Sequence, residues 1–565
     1  MSVSKEYPTG WSAVADFLEK VGVDMVFGLP SDDMDLLAAL ETTAIRVVLC
    51  RDQRNAVFMS TGYALTSGRL SVCVVGKGPA LTNTATGLLE ARSGGAPVIV
   101  IASGTATAKR GTGAFQELDQ GAVVGSLVKW AYRVEHPDRL CGALEKAAFI
   151  AVNGAPGPVY LELPEDVASA PVPGRRRWRP PVAHRVSPDP QVLGSVLARL
   201  RSARRPLMLV GGGARWRNED RAVERLAETL GAGVFATASG RGVVDEEHPL
   251  FCGLSGLYAV PPAADLWQRA DLIVALGTRL EETATFGWDR LPAETEVVQV
   301  NLDATDVAVE WPGPLVLGDV GATVAAVLRA AEQEPFTGNP EWAAEVRRAR
   351  DATMQAARQR REEMASRPGV HVAEVLAALA DVVPPDCILV QENGLQDMWS
   401  YFYPYWSCGS TGGSVVPSEQ TSLGFGAAAA VGVALASGGR PVVALVGDGA
   451  FNLFRSDFST AVEAGAPVLY VVLDNGGYGW LQYQLRQRTD GQTRFRFTSD
   501  RTIAADPTAI HVSTRDELVP ALRRAWAACA AGHPSVVTVH VDLDDVPPGL
   551  AQLAGDFPNM AVTAS

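Results

Sequence analysis

Two glycine-rich stretches of this sequence carry side chains that could bind a metal ion and a phosphate group. The apolar run VVALV leads into GDG at residues 447–449, and after 24 further residues a second apolar run ends in DNGGYG at residues 474–479. Both runs are typical of buried β-strands, and neighbouring parallel strands place their carboxyl ends at the edge of the sheet where such folds bind ligands. We therefore expect Asp448 and Asn475 to lie in one crevice.

The side chains in this crevice suit a hard divalent cation that also holds a diphosphate. One carboxylate, one amide oxygen and free backbone carbonyls are ligands that Mg²⁺ prefers. The flanking glycines let the backbone approach phosphate oxygens closely. A lone GDG is usually only a turn, but GDG followed at this spacing by DNGGYG is far more specific.

Three blocks that alternate short apolar runs with helical patterns surround these stretches, which is typical of parallel α/β sheets. We predict an α/β fold with three doubly wound parallel-sheet domains: an N-terminal domain at residues 1–172, a central domain at 191–334 and a C-terminal domain at 369–565. The Pro- and Arg-rich residues 173–190 predict an extended linker, and the charged residues 335–368 predict a linking helix.

The composition favours a soluble globular enzyme that acts on small molecules. The chain has 565 residues and a formal net charge of −14, which argues against nucleic acid or an anionic membrane as a partner. The seven cysteines form no C-x-x-C pair. The N-terminus lacks the apolar core of a signal peptide, and no apolar stretch is long enough to cross a bilayer. We therefore expect reduced thiols and a cytoplasmic location.

Over nearly its whole length the chain resembles the thiamine diphosphate enzymes, in particular the acetohydroxyacid synthase and pyruvate oxidase branch. Besides GDG and DNGGYG, the resemblance is carried by GKGPALTN, GTGAFQELD, APGPVYLELPEDV and QENGLQDMWSYFYP. It implies an N-terminal domain that binds the pyrimidine of the cofactor and a C-terminal domain that binds its diphosphate. It also implies a homodimer or homotetramer with active sites at the subunit interface.

The resemblance also implies a set of cofactor-binding residues. Asp448, Asn475 and the carbonyl of Gly477 would hold Mg²⁺. In EQTSLGFG, the carbonyl of Thr421 would accept a hydrogen bond from the 4′-amino group of the cofactor, and Leu423 would support the bent conformation of the cofactor. The remaining predicted cofactor residues are Asn393, Gly394, Leu395, Gln396, Gly447, Gly449, Ala450, Tyr478 and Gly479.

The segment AFQE resembles the part of the synthases that lines the substrate pocket. Phe115 and the predicted catalytic residue Gln116 would lie near the reacting carbonyl. Ser31 and Asp32 stand where the synthases carry small residues, and Gln484 stands where they carry the tryptophan that selects the acceptor. The resemblance therefore implies a pocket floor that is more polar than in acetolactate formation. The predicted substrate-pocket residues are Ser31, Asp32, Phe115, Gln116, Trp480, Leu481 and Gln484.

These residues favour a carboligase that decarboxylates a small 2-oxo acid such as pyruvate and transfers the acyl-anion unit to an acceptor, in a specialised biosynthetic pathway. The alternatives are a non-oxidative decarboxylase or C–C lyase, and a cofactor-binding but inactive partner subunit. The absence of a His-His pair of the decarboxylase kind argues against simple release of an aldehyde. The stretches LVGGGA and ALGTRLEET resemble flavin-contacting segments, but a GGG turn alone is weak, and bound FAD is an alternative that we do not favour.

Gln53 departs from the resemblance at the residue that matters most for proton transfer. Aligned on GYA, it falls where the family has a catalytic glutamate that bonds N1′ of the pyrimidine and shuttles a proton. A glutamine can hydrogen-bond N1′ but cannot exchange a proton with it at neutral pH. Three explanations stay open: slow proton transfer through water, a substitute carboxylate for which Glu419 is the candidate, or a protein that binds the cofactor without turnover, natively or through an introduced change.

Overall fold

The structure of the protein, a computed structural model, describes residues 6–29, 34–174, 177–409, 412–488, 495, 509–547 and 550. Within that part of the chain, three six-stranded sheets follow one another in sequence, and every strand pair in them is parallel. The predicted α/β fold with three parallel sheets is confirmed.

The first sheet has the strand order β3-β2-β4-β5-β7-β6, and a short antiparallel pair joins β1 to β8. Its central strand β5, VIVIASG, is buried at every residue because helices cover both faces of the sheet. The strands are β1 (Glu6–Tyr7), β2 (Met25–Gly28), β3 (Arg46–Leu49), β4 (Ser71–Val75), β5 (Val98–Gly104), β6 (Trp130–Arg133), β7 (Val159–Pro164) and β8 (Val172–Pro173). The helices are α1 (Gly10–Lys20), α2 (Met34–Leu40), α3 (Gln53–Ser67), α4 (Pro79–Thr82), α5 (Ala85–Ser93), α6 (Gln120–Val124), α7 (Pro137–Val152) and α8 (Glu165–Ser169).

The central sheet has the order β11-β10-β9-β12-β13-β14. Its strand order reverses between β9 and β12, and the glycine turns that follow these two strands face a common crevice. The strands are β9 (Pro206–Val210), β10 (Gly233–Ala236), β11 (Phe251–Leu254), β12 (Leu272–Leu276), β13 (Glu296–Asn301) and β14 (Leu315–Leu317). The helices are α9 (Pro190–Ser202), α10 (Ala222–Leu230), α11 (Glu282–Thr285), α12 (Val320–Gln333) and the long α13 (Pro340–Ala365) that leads to the third sheet.

The third sheet has the order β16-β15-β17-β18-β20-β19. The side chains of β17 and β18 are buried along almost their whole length, as expected for two-sided burial. The strands are β15 (Ile388–Gln391), β16 (Gly413–Val415), β17 (Val442–Gly447), β18 (Val468–Asp474), β19 (Ile510–Val512) and β20 (Ser535–His540). The helices are α14 (Val372–Val382), α15 (Phe425–Ala436), α16 (Asp448–Phe454), α17 (Phe458–Glu463), α18 (Gly479–Arg488) and α19 (Arg515–Ala530).

Helices α3 and α15 pack directly against each other and join the first and third sheets. Their contact depends on small residues, because a Cβ atom at Gly62 would overlap the carbonyl oxygen of Ala429, and one at Gly432 would overlap that of Met59. This close approach places the start of α3, where Gln53 lies, beside the C-terminal domain. No described helix is both long and apolar enough to cross a membrane.

Candidate active site

Three strand ends of the C-terminal domain meet at one edge of its sheet. β15, β17 and β18 are neighbours there, and the loops that follow them carry the residues predicted to bind the diphosphate and the metal. Nδ2 of Asn475 donates to Oε1 of Gln396 at 2.7 Å, and the backbone N–H of Gly476 donates to Oδ2 of Asp448 at 3.1 Å. The structure therefore brings these predicted residues together.

Asp448 is buried beside a second carboxyl group. Its Oδ1 accepts the backbone N–H of Gly449 at 2.8 Å. Burial and, next, the charge of Asp474 raise the pKa of Asp448 to about 8, so that a nearby cation would stabilise the charged form.

The donor set around Asp448 fits Mg²⁺ together with a diphosphate. Oδ1 of Asn475, which accepts the N–H of Gly477 at 2.9 Å, adds an amide oxygen to the two carboxyl groups. Among the described residues there is no group of three or more His, Cys, Asp or Glu side chains that could hold a metal. Ligands drawn from carboxylate, amide and backbone oxygens are those that suit Mg²⁺ rather than a softer metal.

Asp397 belongs to this edge although the sequence analysis did not assign it. Its Oδ2 accepts the backbone N–H groups of Gly394 at 3.1 Å and Gly447 at 3.2 Å, which links the loops after β15 and β17. Burial raises the pKa of Asp397 to about 7. Asp397 comes three residues after Gly394, and at this spacing a carboxylate can reach back to a preceding backbone N–H. This spacing is the signal that could have identified it.

At two of the predicted glycines, a Cβ atom would press against polar side chains of the site. A Cβ atom at Gly394 would lie 2.6 Å from Oδ2 of Asp397, and one at Gly479 would lie 2.6 Å from Nδ2 of Asn475 and 2.8 Å from Oε1 of Gln396. Glycine at these positions therefore keeps the loops close together and the backbone N–H groups accessible.

The predicted apolar residues around the cofactor divide into buried and exposed ones. Leu395 is 1% exposed and Ala450 is 8% exposed, so both belong to the wall behind the edge. Leu423 is 51% exposed and Tyr478 is 48% exposed. In a single chain the side chain of Leu423 is therefore open to a ligand or to a second protein surface.

The turn that carries Thr421 has an unusual backbone. Thr421 has φ +47°, which is a genuine outlier for a β-branched residue, and its N–H donates to the carbonyl of Ser418 at 2.9 Å. Both carboxylate oxygens of Glu419 accept from Thr283, one from its N–H at 3.0 Å and one from its hydroxyl at 2.6 Å. The predicted substitute base is thus hydrogen-bonded to the central domain.

Gln53 is the first residue of α3, and Asp52 caps that helix by accepting the N–H groups of Arg54 at 2.8 Å and Asn55 at 3.2 Å. Oε1 of Gln53 accepts from Nδ2 of Asn83 at 3.1 Å. Within the residues that the structure describes, Gln53 makes no hydrogen bond to the residues at the C-terminal sheet edge. The neighbouring Asn55 does contact that domain, since its Nδ2 donates to Oδ2 of Asp457 at 2.9 Å.

The predicted substrate residues of the N-terminal domain lie on a loop beside the end of β4. Gln116 has φ +56°, and a Cβ atom at Gly78 would lie 2.9 Å from its carbonyl oxygen. Phe115 is 71% exposed, with the ammonium of Lys77 5.9 Å from its ring centroid. The loop thus projects an aromatic ring and a strained amide residue from the sheet edge.

The remaining predicted substrate residues lie mainly on α18. Trp480 stacks on Tyr483 with ring centroids 6.2 Å apart, Leu481 is 43% exposed and Gln484 is half-buried. Ser31 and Asp32 lie outside the described residues. The structure thus places α18 directly after the DNGGYG loop.

A cleft of about 190 Å³ lies between the three domains. It is lined by Gly212 and Gly213 and by the turn 277–279 of the central domain, and by Asn393, Glu419 and Thr421 of the C-terminal domain. No histidine is among the described residues that line it.

Three models of one family match the chain in order. They are the thiamine pyrophosphate enzyme N-terminal TPP binding domain at residues 8–123, the central domain at 193–327 and the C-terminal TPP binding domain at 394–539.

Curated relatives match over most of their length. The probable 2-ketoarginine decarboxylase AruI of Pseudomonas aeruginosa is 32% identical over 84% of this chain and 83% of its own. The acetolactate synthase large subunit of Corynebacterium glutamicum is 26% identical over 93% of this chain and 86% of its own. The acetolactate synthase isozyme 1 large subunit of Escherichia coli is 28% identical over 84% of this chain and 83% of its own.

Proposed function

The chain belongs to the thiamine pyrophosphate enzymes, and from that premise we propose that it is a carboligase dependent on thiamine diphosphate and Mg²⁺. It decarboxylates a small 2-oxo acid such as pyruvate and transfers the remaining acyl unit to a carbonyl or other electrophilic acceptor. The cofactor supplies the electron sink for decarboxylation, and the chain supplies binding, orientation and exclusion of water.

The observation that carries this proposal is the meeting of Asp448, Asn475 and Gln396 at one sheet edge. Asp448 and Asn475 would hold the metal with the carbonyl of Gly477, and the N–H groups of the neighbouring loops would face the diphosphate. A cofactor that carries a diphosphate needs this arrangement, because the metal and the backbone N–H groups neutralise the negative charge of the diphosphate.

Transfer to an acceptor, rather than release of an aldehyde, is supported by the sequence, which lacks a His-His pair of the decarboxylase kind. Without a side chain that readily protonates the acyl carbanion, an electrophile has more time to react with it. The polar Gln484 distinguishes the pocket from that of acetolactate formation. We therefore assign the reaction to specialised biosynthesis with a different donor or acceptor.

The complete site requires two copies of the chain. Gln53 and Gln116 belong to the N-terminal domain of one copy, and Asp448 belongs to the C-terminal domain of the other. Two features support this arrangement: within the described part of one chain Gln53 makes no hydrogen bond to the sheet edge that carries Asp448, and the side chain of Leu423 is exposed. A homodimer or homotetramer would cover this apolar side chain.

A second candidate is a 2-oxo acid decarboxylase, which is favoured by the 32% identity to the probable 2-ketoarginine decarboxylase. In that reaction a proton takes the place of the carbon acceptor. The donor acid would then differ from pyruvate in the groups that the polar residues of the pocket contact.

One experiment separates these functions. The protein, loaded with thiamine diphosphate and Mg²⁺, is incubated with a panel of 2-oxo acids with and without aldehyde and ketone acceptors. Carbon dioxide and products are then recorded by mass spectrometry. A carboligase forms a product with a new C–C bond, either to an added acceptor or to a second molecule of the donor acid, whereas a decarboxylase gives the same aldehyde with and without the acceptor. No consumption of any donor would support an inactive partner subunit instead.

A further inference from the structure

The turn at residues 418–422 is fastened by a buried carboxylate from another domain. Glu90 lies on α5 of the N-terminal domain and is 1% exposed. One of its carboxylate oxygens accepts the N–H of Ser418, and the other accepts the N–H of Ser422 at 3.3 Å. We propose that Glu90 is a positioning residue that fixes the backbone of Thr421, so that the carbonyl of Thr421 can accept a hydrogen bond from the 4′-amino group of the bound cofactor.

Thr421 needs such support because its conformation is unfavourable by itself. At φ +47° the branched side chain crowds the backbone, and conformations of this kind persist only where the surroundings impose them. The two N–H groups that Glu90 accepts lie on either side of Thr421 in sequence. They therefore fix both ends of the segment that contains the strained residue.

The anchoring is charged and involves more than one domain. Hydrogen bonds to a carboxylate are roughly twice as strong as neutral ones, and both oxygens of Glu90 are used. Glu419 fixes the same turn to Thr283 of the central domain. The orientation of the Thr421 carbonyl thus depends on contacts with both other domains, and Glu90 is the contact that reaches it from the pyrimidine-binding domain.

Glu90→Gln is the direct test because it keeps the shape of the side chain. A glutamine has one acceptor oxygen, and its amide NH₂ would face one of the two backbone N–H groups, donor against donor. The turn would then relax towards a conformation that suits threonine. Because the inference rests on the proposed function, the readout is cofactor binding by calorimetry in the presence of Mg²⁺, and turnover is not needed.

Two ligands separate positioning from general damage. Thiamine diphosphate carries the 4′-amino group, whereas oxythiamine diphosphate carries an oxygen there and cannot donate in the same way. We expect Glu90→Gln to weaken binding of thiamine diphosphate by about 3- to 10-fold, the equivalent of one hydrogen bond, and to leave oxythiamine diphosphate nearly unchanged. Glu90→Asp, which keeps the charge on a shorter stem, should lose part of the same preference.

Glu162→Gln is the matched control. Glu162 is also a buried glutamate of the N-terminal domain, at 3% exposure, but it pairs with Arg133 and does not contact the turn. Its replacement should leave the ratio of the two affinities unchanged. In a Thr421→Gly background, where the residue adopts positive φ without strain, the effect of Glu90→Gln on the ratio should shrink.

Three results would overturn the inference. An equal loss of affinity for both ligands in Glu90→Gln and Glu90→Asp would show that Glu90 is only structural. Unchanged affinity for both ligands would show that the turn does not need it. If the unaltered protein bound neither ligand, the proposed function would fail and this inference with it. That result is distinct from the first two, which both require the unaltered protein to bind thiamine diphosphate.

Discussion

Replacement of Gln53 by glutamate should accelerate exchange of the C2 proton of the bound cofactor. If Gln53 faces N1′ of the pyrimidine, its amide holds that nitrogen but cannot exchange a proton with it. Restoring a general acid–base group is worth about 10²–10⁴-fold, or roughly 3–5 kcal/mol of barrier.

The surroundings of residue 53 lower the acceleration that we expect from Gln53→Glu. Residue 53 begins the helix α3, and Nδ2 of Asn83 lies 3.1 Å from its side-chain oxygen. A helix N-terminus stabilises a carboxylate by about 0.3–1 kcal/mol, which is under one pKa unit, and Asn83 would donate to the same carboxylate. The introduced carboxylate would thus be a somewhat weaker base than a free glutamate, and we expect a gain of about 10- to 10³-fold.

The assay follows exchange of the C2 proton into D₂O by NMR after acid quench, with cofactor affinity measured separately. Gln484→Glu is the matched control, because it adds the same charge to the predicted pocket at a position away from N1′. Its exchange rate should stay within about threefold of the unaltered protein, far below the change expected at a general acid–base position. An unchanged rate in Gln53→Glu with cofactor still bound would show that residue 53 does not serve N1′.

The remaining predictions concern the metal, the substitute base and the assembly. Asp448→Asn should lower the affinity for Mg²⁺ and thiamine diphosphate by about 10-fold or more by calorimetry, since a charged ligand is lost. Without ligands at pH 7, the same variant should melt at a higher temperature than the unaltered protein. The fold raises the pKa of Asp448 to about 8, so this carboxyl lowers the stability of the fold at any pH above the ordinary pKa of an aspartate. Unchanged melting and unchanged affinity would contradict the metal site. Glu419→Gln should leave C2-proton exchange within about threefold, because both oxygens of Glu419 are bonded to Thr283; a loss of the size of a general acid–base effect would identify Glu419 as the base instead. Sedimentation should find turnover only in dimers or larger assemblies, and an active monomer would refute the two-chain site.

The C-terminal sheet edge could be predicted because its determinants are local. The apolar runs of β17 and β18 end in Asp448 and in the Asn475 loop, and parallel pairing puts these ends side by side. Each step needs only residues close together in sequence and a general rule of α/β folds. The parallel sheets followed from the same kind of pattern.

The hydrogen bonds that hold the Thr421 turn in place could not be predicted, because they join residues that are far apart in sequence. Glu90 binds a turn 328 residues away, and Thr283 binds Glu419 across 136 residues. In the sequence, Glu90 is one acidic residue on a short helix whose pattern gives no reason to expect burial. Only the packing of three domains against one another brings its carboxylate to two backbone N–H groups.

The two strained residues of the predicted site show why this distinction matters for function. Thr421 and Gln116 both have positive φ. This backbone conformation is unfavourable for a β-branched residue such as threonine and uncommon for glutamine. A prediction made residue by residue would therefore assign an ordinary turn to each segment. The strain can persist because distant groups fix the chain on either side, as Glu90 does for Thr421. Removal of a distant group such as Glu90 would therefore let the turn relax and would turn the carbonyl of Thr421 away from the direction that cofactor binding requires.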